Sequence, residues 1–329
     1  MENEEDMSLG NSTRVTHFIL LGFTHLAQLQ LLLFVVVLLV FTVTMTGNIL
    51  IVLIATVDPA LHTPMYYFLK NLSLIEICYS LDIVPKMLIN LLSERKTYSF
   101  TACALQLSLI ILFITSESFL LTIMAYDRYV AICHPLHYAA IMSKKTCRQM
   151  SAVAWLSGFP VAVGITAWLF SMSFCKSNEV NHFFCDVSPV LKLVCSDTYI
   201  FELLALIATV LIMVLPFILI TISYICIICT IMQMPLAESR QRVFSTCAAH
   251  LMVVTLFYFT TSLIHLHPKS SLSPNNKKFV SLSYTVITPM LNPIIYSLRN
   301  SDVREALQRT FGRKMLSERL ATLSLSFFQ

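Results

Sequence analysis

The sequence predicts an all-α protein: a bundle of seven transmembrane helices followed by a short amphipathic helix on the inner leaflet. Three observations carry that prediction. Of 329 residues, 57% are hydrophobic and 12% charged, against about 25% charged in a soluble domain, so water is not the main solvent. With 6 glycines and 12 prolines, loops are short and regular structure must prevail. Inside a bilayer every backbone N–H and C=O needs a partner within the protein, which leaves helices or a closed barrel. The apolar runs are about twenty residues long, without the strict alternation of barrel strands, and that selects helices.

Seven runs are expected to span, over residues 27–55, 65–92, 103–133, 149–171, 199–232, 243–266 and 279–298. The second and seventh are the least apolar. An odd number puts the termini on opposite sides. Asn11-Ser12-Thr13 is a glycosylation acceptor ahead of the first run, which requires an extracellular N-terminus. The start Met1-Glu2-Asn3-Glu4-Glu5-Asp6 is acidic, unlike a cleavable signal peptide, so the first helix is read as an uncleaved signal anchor. Roughly thirteen of the 22 Lys and Arg fall on the opposite side, as the positive-inside rule asks. The chain then divides into residues 1–26, an extracellular glycosylated N-terminus, 27–298, the bundle, 299–314, the amphipathic helix, and 315–329, a cytoplasmic tail without a further reading.

The first span carries Gly47-Asn48, the Asn reading as a bond between helices. Glu76 in the second lies about 18 Å from the inner face, and Glu117 in the third about 21 Å from the outer one. Both are near mid-membrane, where a lone charge is costly. They are expected to share a proton or to hold a cation such as sodium, the plainer reading being two protonated acids that pack. Asp82 lies on another face, without an assigned role. The third span opens at Cys103 and closes with Asp127-Arg128 at the opposite water boundary. Cys103, Cys175, Cys185 and Cys195 fall on the outer side, where three pairings are open; the other six of the 10 cysteines sit where thiols stay reduced. Pro216 is expected to kink the fifth span. Cys247 and His250, one turn apart, are set aside as a metal pair. After the seventh span, Val303, Ala306, Leu307, Thr310 and Phe311 form one stripe against Arg304, Arg309, Arg313 and Lys314.

Several strings resemble one family. They are Leu61-His62-Thr63-Pro64-Met65-Tyr66-Tyr67-Phe68-Leu69, the run from Met124 through Asp127-Arg128-Tyr129 to Leu136, and His182-Phe183-Phe184-Cys185-Asp186. Phe244-Ser245-Thr246-Cys247 with His250, where Val243 replaces the expected Ala, and Pro289-Met290-Leu291-Asn292-Pro293-Ile294-Ile295-Tyr296 complete the set. From about Phe18 to Arg313 the chain resembles odorant (olfactory) receptors of the tetrapod type, within the rhodopsin-like G-protein-coupled receptors.

The resemblance implies disulfides Cys103–Cys185 and Cys175–Cys195, a lipid-facing Trp155 and a close-packed Gly158. It implies a switch at Arg128, paired with Asp127 at rest and stacked on Tyr224 when the sixth helix swings out. Tyr129, Arg240, Arg242, Asn292, Pro293 and Tyr296 belong to the same G-protein switch. Phe257-Tyr258-Phe259-Thr260 stands where most rhodopsin-like receptors have Trp and Pro. The ligand site is expected in the outer half of the bundle, at Ile111, Ile114, Thr115, Ala208, Thr209, Ile212, Tyr258, Thr261, Ser262, His265 and Thr285. His265 reads as a polar anchor or as an interface histidine. Apolar and hydroxyl groups suit a small volatile odorant, and the implied partner is a heterotrimeric stimulatory (olfactory) G protein that raises cAMP, at the plasma membrane of olfactory cilia. A rival is a non-olfactory metabolite chemosensor; a channel or transporter is disfavoured because the chain has no internal repeat. No catalytic constellation, phosphate loop or nucleic-acid surface is found. No enzyme activity or cofactor is expected, and no lysine lies between Phe279 and Leu298 to form a retinal Schiff base.

Overall fold

A computed structural model describes residues 15–175, 177–233, 237–265, 274–299 and 303–310. The chain enters through strand β1 (His17–Leu20), then α1 (Gln30–Val57), α2 (Pro64–Leu92), strand β2 (Thr97–Ser99) and α3 (Phe100–Cys133). After the short α4 (Tyr138–Ile141) come α5 (Lys144–Ser171), strand β3 (Glu179–Val180), the short α6 (Val187–Leu191), α7 (Tyr199–Met232) and α8 (Ala237–His265). The seventh rod is α9 (Pro274–Leu282), a π turn over Ser283–Ile287 and α10 (Thr288–Arg299), and α11 covers 303–310. The long helices make a seven-helix membrane bundle. Among the described residues five stretches are apolar and long enough to cross on that ground alone, Gln30–Val57, Phe100–Cys133, Lys144–Ser171, Tyr199–Met232 and Lys278–Tyr296. In α8 the apolar part is only Cys247–Ser262. Helix α2 is too polar for the same test because it turns Ser73, Glu76, Ser80 and Asn90 inward, where neighbouring helices replace water.

Local chemistry sets the helix ends. Ser99 Oγ accepts from Ala102 N at 3.2 Å at the start of α3, and Ser143 Oγ does the same for Thr146 N at 3.2 Å in α5, each filling an orphan donor of the first turn. Pro64 opens α2, where its missing N–H is harmless. The π turn admits one extra residue, so Tyr284, Thr285 and Val286 are buried in succession.

Helix α3 is the axis of the bundle. Two-thirds of its apolar stretch is buried, 67% against 11% for α7, and it packs on α2, α5 and α7. Gly158 brings α5 against it: a Cβ there would stand 2.9 Å from both the carbonyl oxygen and a methyl of Leu112. Asn48 donates to Thr44 O at 3.0 Å and across to Pro289 O at 3.3 Å. Trp155 departs from the expectation of a lipid-facing ring. It is half-buried, its indole N–H donates to Asn71 Oδ1 at 3.2 Å, and its ring meets Phe113 edge-on at 6.4 Å. An indole on α5 can reach α2 only by turning inward, and Asn71 supplies the acceptor.

No strand is expected from the sequence, yet among the described residues three strands cover the end that bears the disulfides. β1 lies between β2, antiparallel with Phe18 opposite Tyr98, and β3, parallel with Ile19 opposite Glu179. Phe18 and Leu20 alternate inward and are fully buried over Cys103, Leu107 and Cys185. Disulfides join Cys103 to Cys185 (Cα–Cα 5.5 Å) and Cys175 to Cys195 (5.9 Å). Gly22, at φ +51°, turns the strap; its N–H donates to His182 O at 3.0 Å and its carbonyl accepts from Lys278 Nζ at 2.6 Å. At the other end Val303 and Ala306 of α11 are buried, and Arg309 donates to Asp58 Oδ2 at 3.1 Å. Asn11 and Phe311, Arg313 and Lys314 lie outside the described residues.

Two outcomes are expected. Gly158→Ala costs about 1–3 kcal/mol through the Leu112 clash, whereas a Cβ at Gly164 meets nothing within 4 Å and Gly164→Ala leaves stability unchanged; thermal unfolding of the purified protein decides, and equal midpoints contradict the close contact. The second concerns His182, sandwiched by Phe183 (4.6 Å) and Phe184 (4.5 Å). Burial holds its imidazole down to about 4, with Lys278 pushing the same way and Asp186 opposing. The opened strap takes up a proton near pH 6.5 and the closed one does not, so closure is fully favourable above that pH. Between about 6.5 and 4 it weakens by about 1.4 kcal/mol per pH unit. Amide exchange at residues 17–23, corrected for intrinsic rates, should quicken from pH 7 to 5 and lose that response in His182→Phe; identical protection at both pH values would contradict it.

Candidate ligand region and switch

Mid-bundle, α2 and α3 bury Glu76 and Glu117, 1% and 6% exposed. The two carboxyl groups face one another, and Glu76 Oε1 accepts from Asn292 Nδ2 of α10. Glu117 Oε1 has no donor facing it. Two carboxylates are both acceptors, so contact requires a proton or a cation between them. Among the described residues no three His, Cys, Asp or Glu gather as metal ligands, so a cation there would complete its shell with amide, carbonyl or water oxygen. Asp82 stands apart, its backbone carbonyl accepting from Gln106 Nε2 at 2.8 Å.

One residue beyond Glu117, Ser118 joins three helices. Its hydroxyl donates to Ile212 O of α7 at 2.8 Å and meets Tyr258 OH of α8 at 3.0 Å. A hydroxyl has one proton, so Tyr258 is the donor of the second bond. The Tyr258 ring packs on Phe217, the residue after Pro216, and on Phe257, both at 5.1 Å. Of the other expected ligand contacts, Ile114, Thr115, Thr261 and Thr285 are buried, and Ile111, Ala208, Thr209, Ile212 and Ser262 half-buried. Thr115, Thr209 and Thr285 donate to Ile111 O (2.7 Å), Ala205 O (2.9 Å) and Ser281 O (2.8 Å). Their oxygens keep a free lone pair, so toward a ligand they accept hydrogen bonds. Ala208 also lines a hollow between α5 and α7. The His265 side chain lies outside the described residues.

At the opposite end Asp127 is buried and accepts from Tyr138 OH at 2.9 Å, with Arg128 Nε 3.9 Å from its other oxygen. Burial and the adjacent Asp127 push the Tyr138 phenol up, so it remains a donor. Tyr129 OH bonds His134 Nε2 at 3.0 Å, at its own helix end. Tyr224 is engaged with His250 of α8: its hydroxyl meets Nδ1 at 2.6 Å and the rings stack at 5.8 Å. Pro293 packs on Gly47, Tyr296 is fully buried, and Arg240 is half-exposed. The Arg242 side chain lies outside the described residues.

Ser118, Tyr138 and His250 were absent from the expected site. His250 lies in one of the family strings, where its sequence neighbour suggests only a pairing with Cys247; Tyr138 stands two residues beyond the end of the Asp-Arg-Tyr string at Leu136; a lone helical serine carries no signal.

A helical membrane bundle with a buried acid pair, a three-helix hydroxyl joint and a carboxylate–guanidinium pair at one rim has the architecture of a membrane receptor. A family model described as "Olfactory receptor" matches residues 37–314. Human relatives include Olfactory receptor 10A7, 55% identical over 94% of this chain and 98% of its own length, and Olfactory receptor 10A5, 53% identical over 93% and 97%. Olfactory receptor 10R2, also human, is 46% identical over 92% and 91%. The chain belongs to the olfactory receptor family.

Ser118→Ala and Tyr258→Phe each lower the unfolding midpoint, and a double-mutant cycle returns a coupling of about 0.5–1.5 kcal/mol. Strictly additive losses would mean that the bond contributes nothing.

Proposed function

We propose that this receptor takes a small, largely apolar volatile in the half of the bundle nearest the disulfides and raises cAMP through a stimulatory olfactory G protein. In this reading the disulfide end and the glycosylated N-terminus are extracellular, the Arg128 end and C-terminal tail are cytoplasmic, and the protein works at the plasma membrane of olfactory cilia. The relatives' names and the family support the ligand class. The Tyr224–His250 contact beside Arg128 carries the mechanism. It links α7 to α8 at the inner end, so α8 cannot swing out while it holds. A ligand against Tyr258 pulls on the Ser118 joint; as α8 moves, His250 leaves Tyr224, whose hydroxyl and ring then receive the Arg128 guanidinium released from Asp127. That places one cation at the rim where the G protein docks, with Tyr129, Arg240 and Arg242 beside it. Asn292, Pro293 and Tyr296 relay the change to the acid pair, which holds a proton or a sodium ion in the resting state.

Arg128→Ala should keep surface delivery and cut agonist-driven cAMP at least tenfold, while His250→Phe, which loses the bond to Tyr224, should raise agonist-free cAMP. The screen is a cAMP reporter in cells expressing the chain, exposed to chemically diverse volatiles beside mock-transfected controls; a full response from Arg128→Ala would refute its role. If a sodium ion sits between Glu76 and Glu117, replacing external sodium by choline shifts agonist potency, and Glu117→Gln removes that shift. A sodium response that persists in Glu117→Gln places the ion elsewhere.

A further inference from the structure

On the lipid-facing side, between α5 and α7, the structure holds a hollow of about 240 Å³ that the switch does not use and that shares Ala208 alone with the expected odorant contacts. Its walls include Pro160, Gly164 and Trp168 of α5 and Leu204, Ala205 and Ala208 of α7. Small side chains make the space: a Cβ added at Gly164 meets nothing within 4 Å, and two alanines stand on the other wall. Around it, Val163, Leu203, Leu206 and Ile207 are 56%, 44%, 52% and 45% exposed, the pattern of a face bathed in hydrocarbon. The Trp168 and Phe201 rings meet edge to face across the gap, 5.5 Å apart at 86°, and close its end toward the disulfides. From Pro160 to Trp168 the hollow runs about 12 Å along the helix axis.

Its occupant must be apolar, because the lining side chains are all apolar apart from the Trp168 indole N–H and the surroundings are lipid. An empty hollow forfeits dispersion contacts on every wall. An extended acyl chain lies along the bilayer normal, and the Trp168–Phe201 pair blocks that line on the headgroup side. A chain would have to bend in sideways and lose rotamer freedom. A compact molecule enters whole. An apolar cavity of about 150 Å³ takes benzene, so this volume suits roughly ten non-hydrogen atoms.

We propose that the α5–α7 hollow is a second small-molecule site, which binds one compact hydrocarbon-like molecule of alkylbenzene or monoterpene size arriving through the lipid. It is separate from the Ser118–Tyr258 region but coupled to α3, because Ile165 and Ala205 pack in one cluster with Ile111. The site does not depend on the odorant reading.

The test uses the full-length receptor in phospholipid nanodiscs and the photoreactive probe 3-trifluoromethyl-3-phenyldiazirine, with labelled residues mapped by mass spectrometry. The expected result is saturable labelling at Val161, Trp168 and Leu204, reduced at least fivefold by excess unlabelled isopropylbenzene. Gly164→Phe should reduce it equally, while labelling at the lipid-facing Leu31 and Leu39 stays constant. Gly164→Ala retains the site, and Ala205→Ile, which fills it from the α7 wall, gives the same loss should Gly164→Phe not fold. Labelling that never saturates overturns the proposal whatever the variants do, since it means that ordinary acyl chains fill the hollow. Saturable labelling that survives both filling variants overturns it too.

Discussion

Inside the bilayer no water is at hand to satisfy a polar group, and the rest of this structure follows from that constraint. Each mid-membrane polar side chain has to find a partner on another helix, and each such pair fixes two helices relative to one another. Asn48 reaches Pro289 O, Trp155 reaches Asn71, Glu76 takes Asn292 and faces Glu117, and Ser118 takes both Ile212 O and Tyr258. Individually such bonds are modest, about 1 kcal/mol or less. Together they leave few ways to assemble the bundle, which apolar side chains alone, as greasy as the lipid around them, would not do.

Three of these contacts, the Glu76–Glu117 pair and both bonds of Ser118, converge on α3. In one helix of 34 residues it carries the disulfide from Cys103 to Cys185, the three-helix joint, half of the acid pair and the Asp127–Arg128 pair. The strap from β1 closes the first end and the Tyr224–His250 contact the other. In the proposed mechanism a push at Tyr258 has a covalent route to the rim, along α8 to His250, and a lateral one through its hydrogen bond to Ser118 and then along α3. The Phe257-Tyr258-Phe259-Thr260 stretch has no proline; in the proposed mechanism the Ser118 hydroxyl, bonded to Tyr258, gives α8 a releasable anchor in its place.

The spans were legible because hydrocarbon imposes a length and an apolarity on each run of residues, and Asn48 was legible because a lone amide there must bond another helix. Hydropathy alone is weaker for α2, where Glu76 and Asp82 dilute the signal, and family strings supply what it lacks. Four outer cysteines leave three pairings open, and only the resemblance chose among them. The three-stranded strap was invisible: His17–Leu20, Thr97–Ser99 and Glu179–Val180 are two to four residues each and become strands only when folding brings them together. Trp155 was misread because a tryptophan on a membrane helix is as stable against lipid as against a neighbour, and the deciding partner, Asn71, lies 84 positions away. Ser118 and Tyr138 each gain their role from a single contact that no local spacing announces.

The account claims that ligand binding frees α8 from α7 at the Arg128 end. Pulsed dipolar spectroscopy between spin labels at Leu136, just past α3, and Phe244 on α8, 94% and 58% exposed, measures the resulting swing of α8 in the reconstituted receptor with its G protein. An active volatile should lengthen the distance by several ångströms in the native chain, and His250→Phe should show part of that population without ligand. An unchanged distance while cAMP production rises would contradict the account.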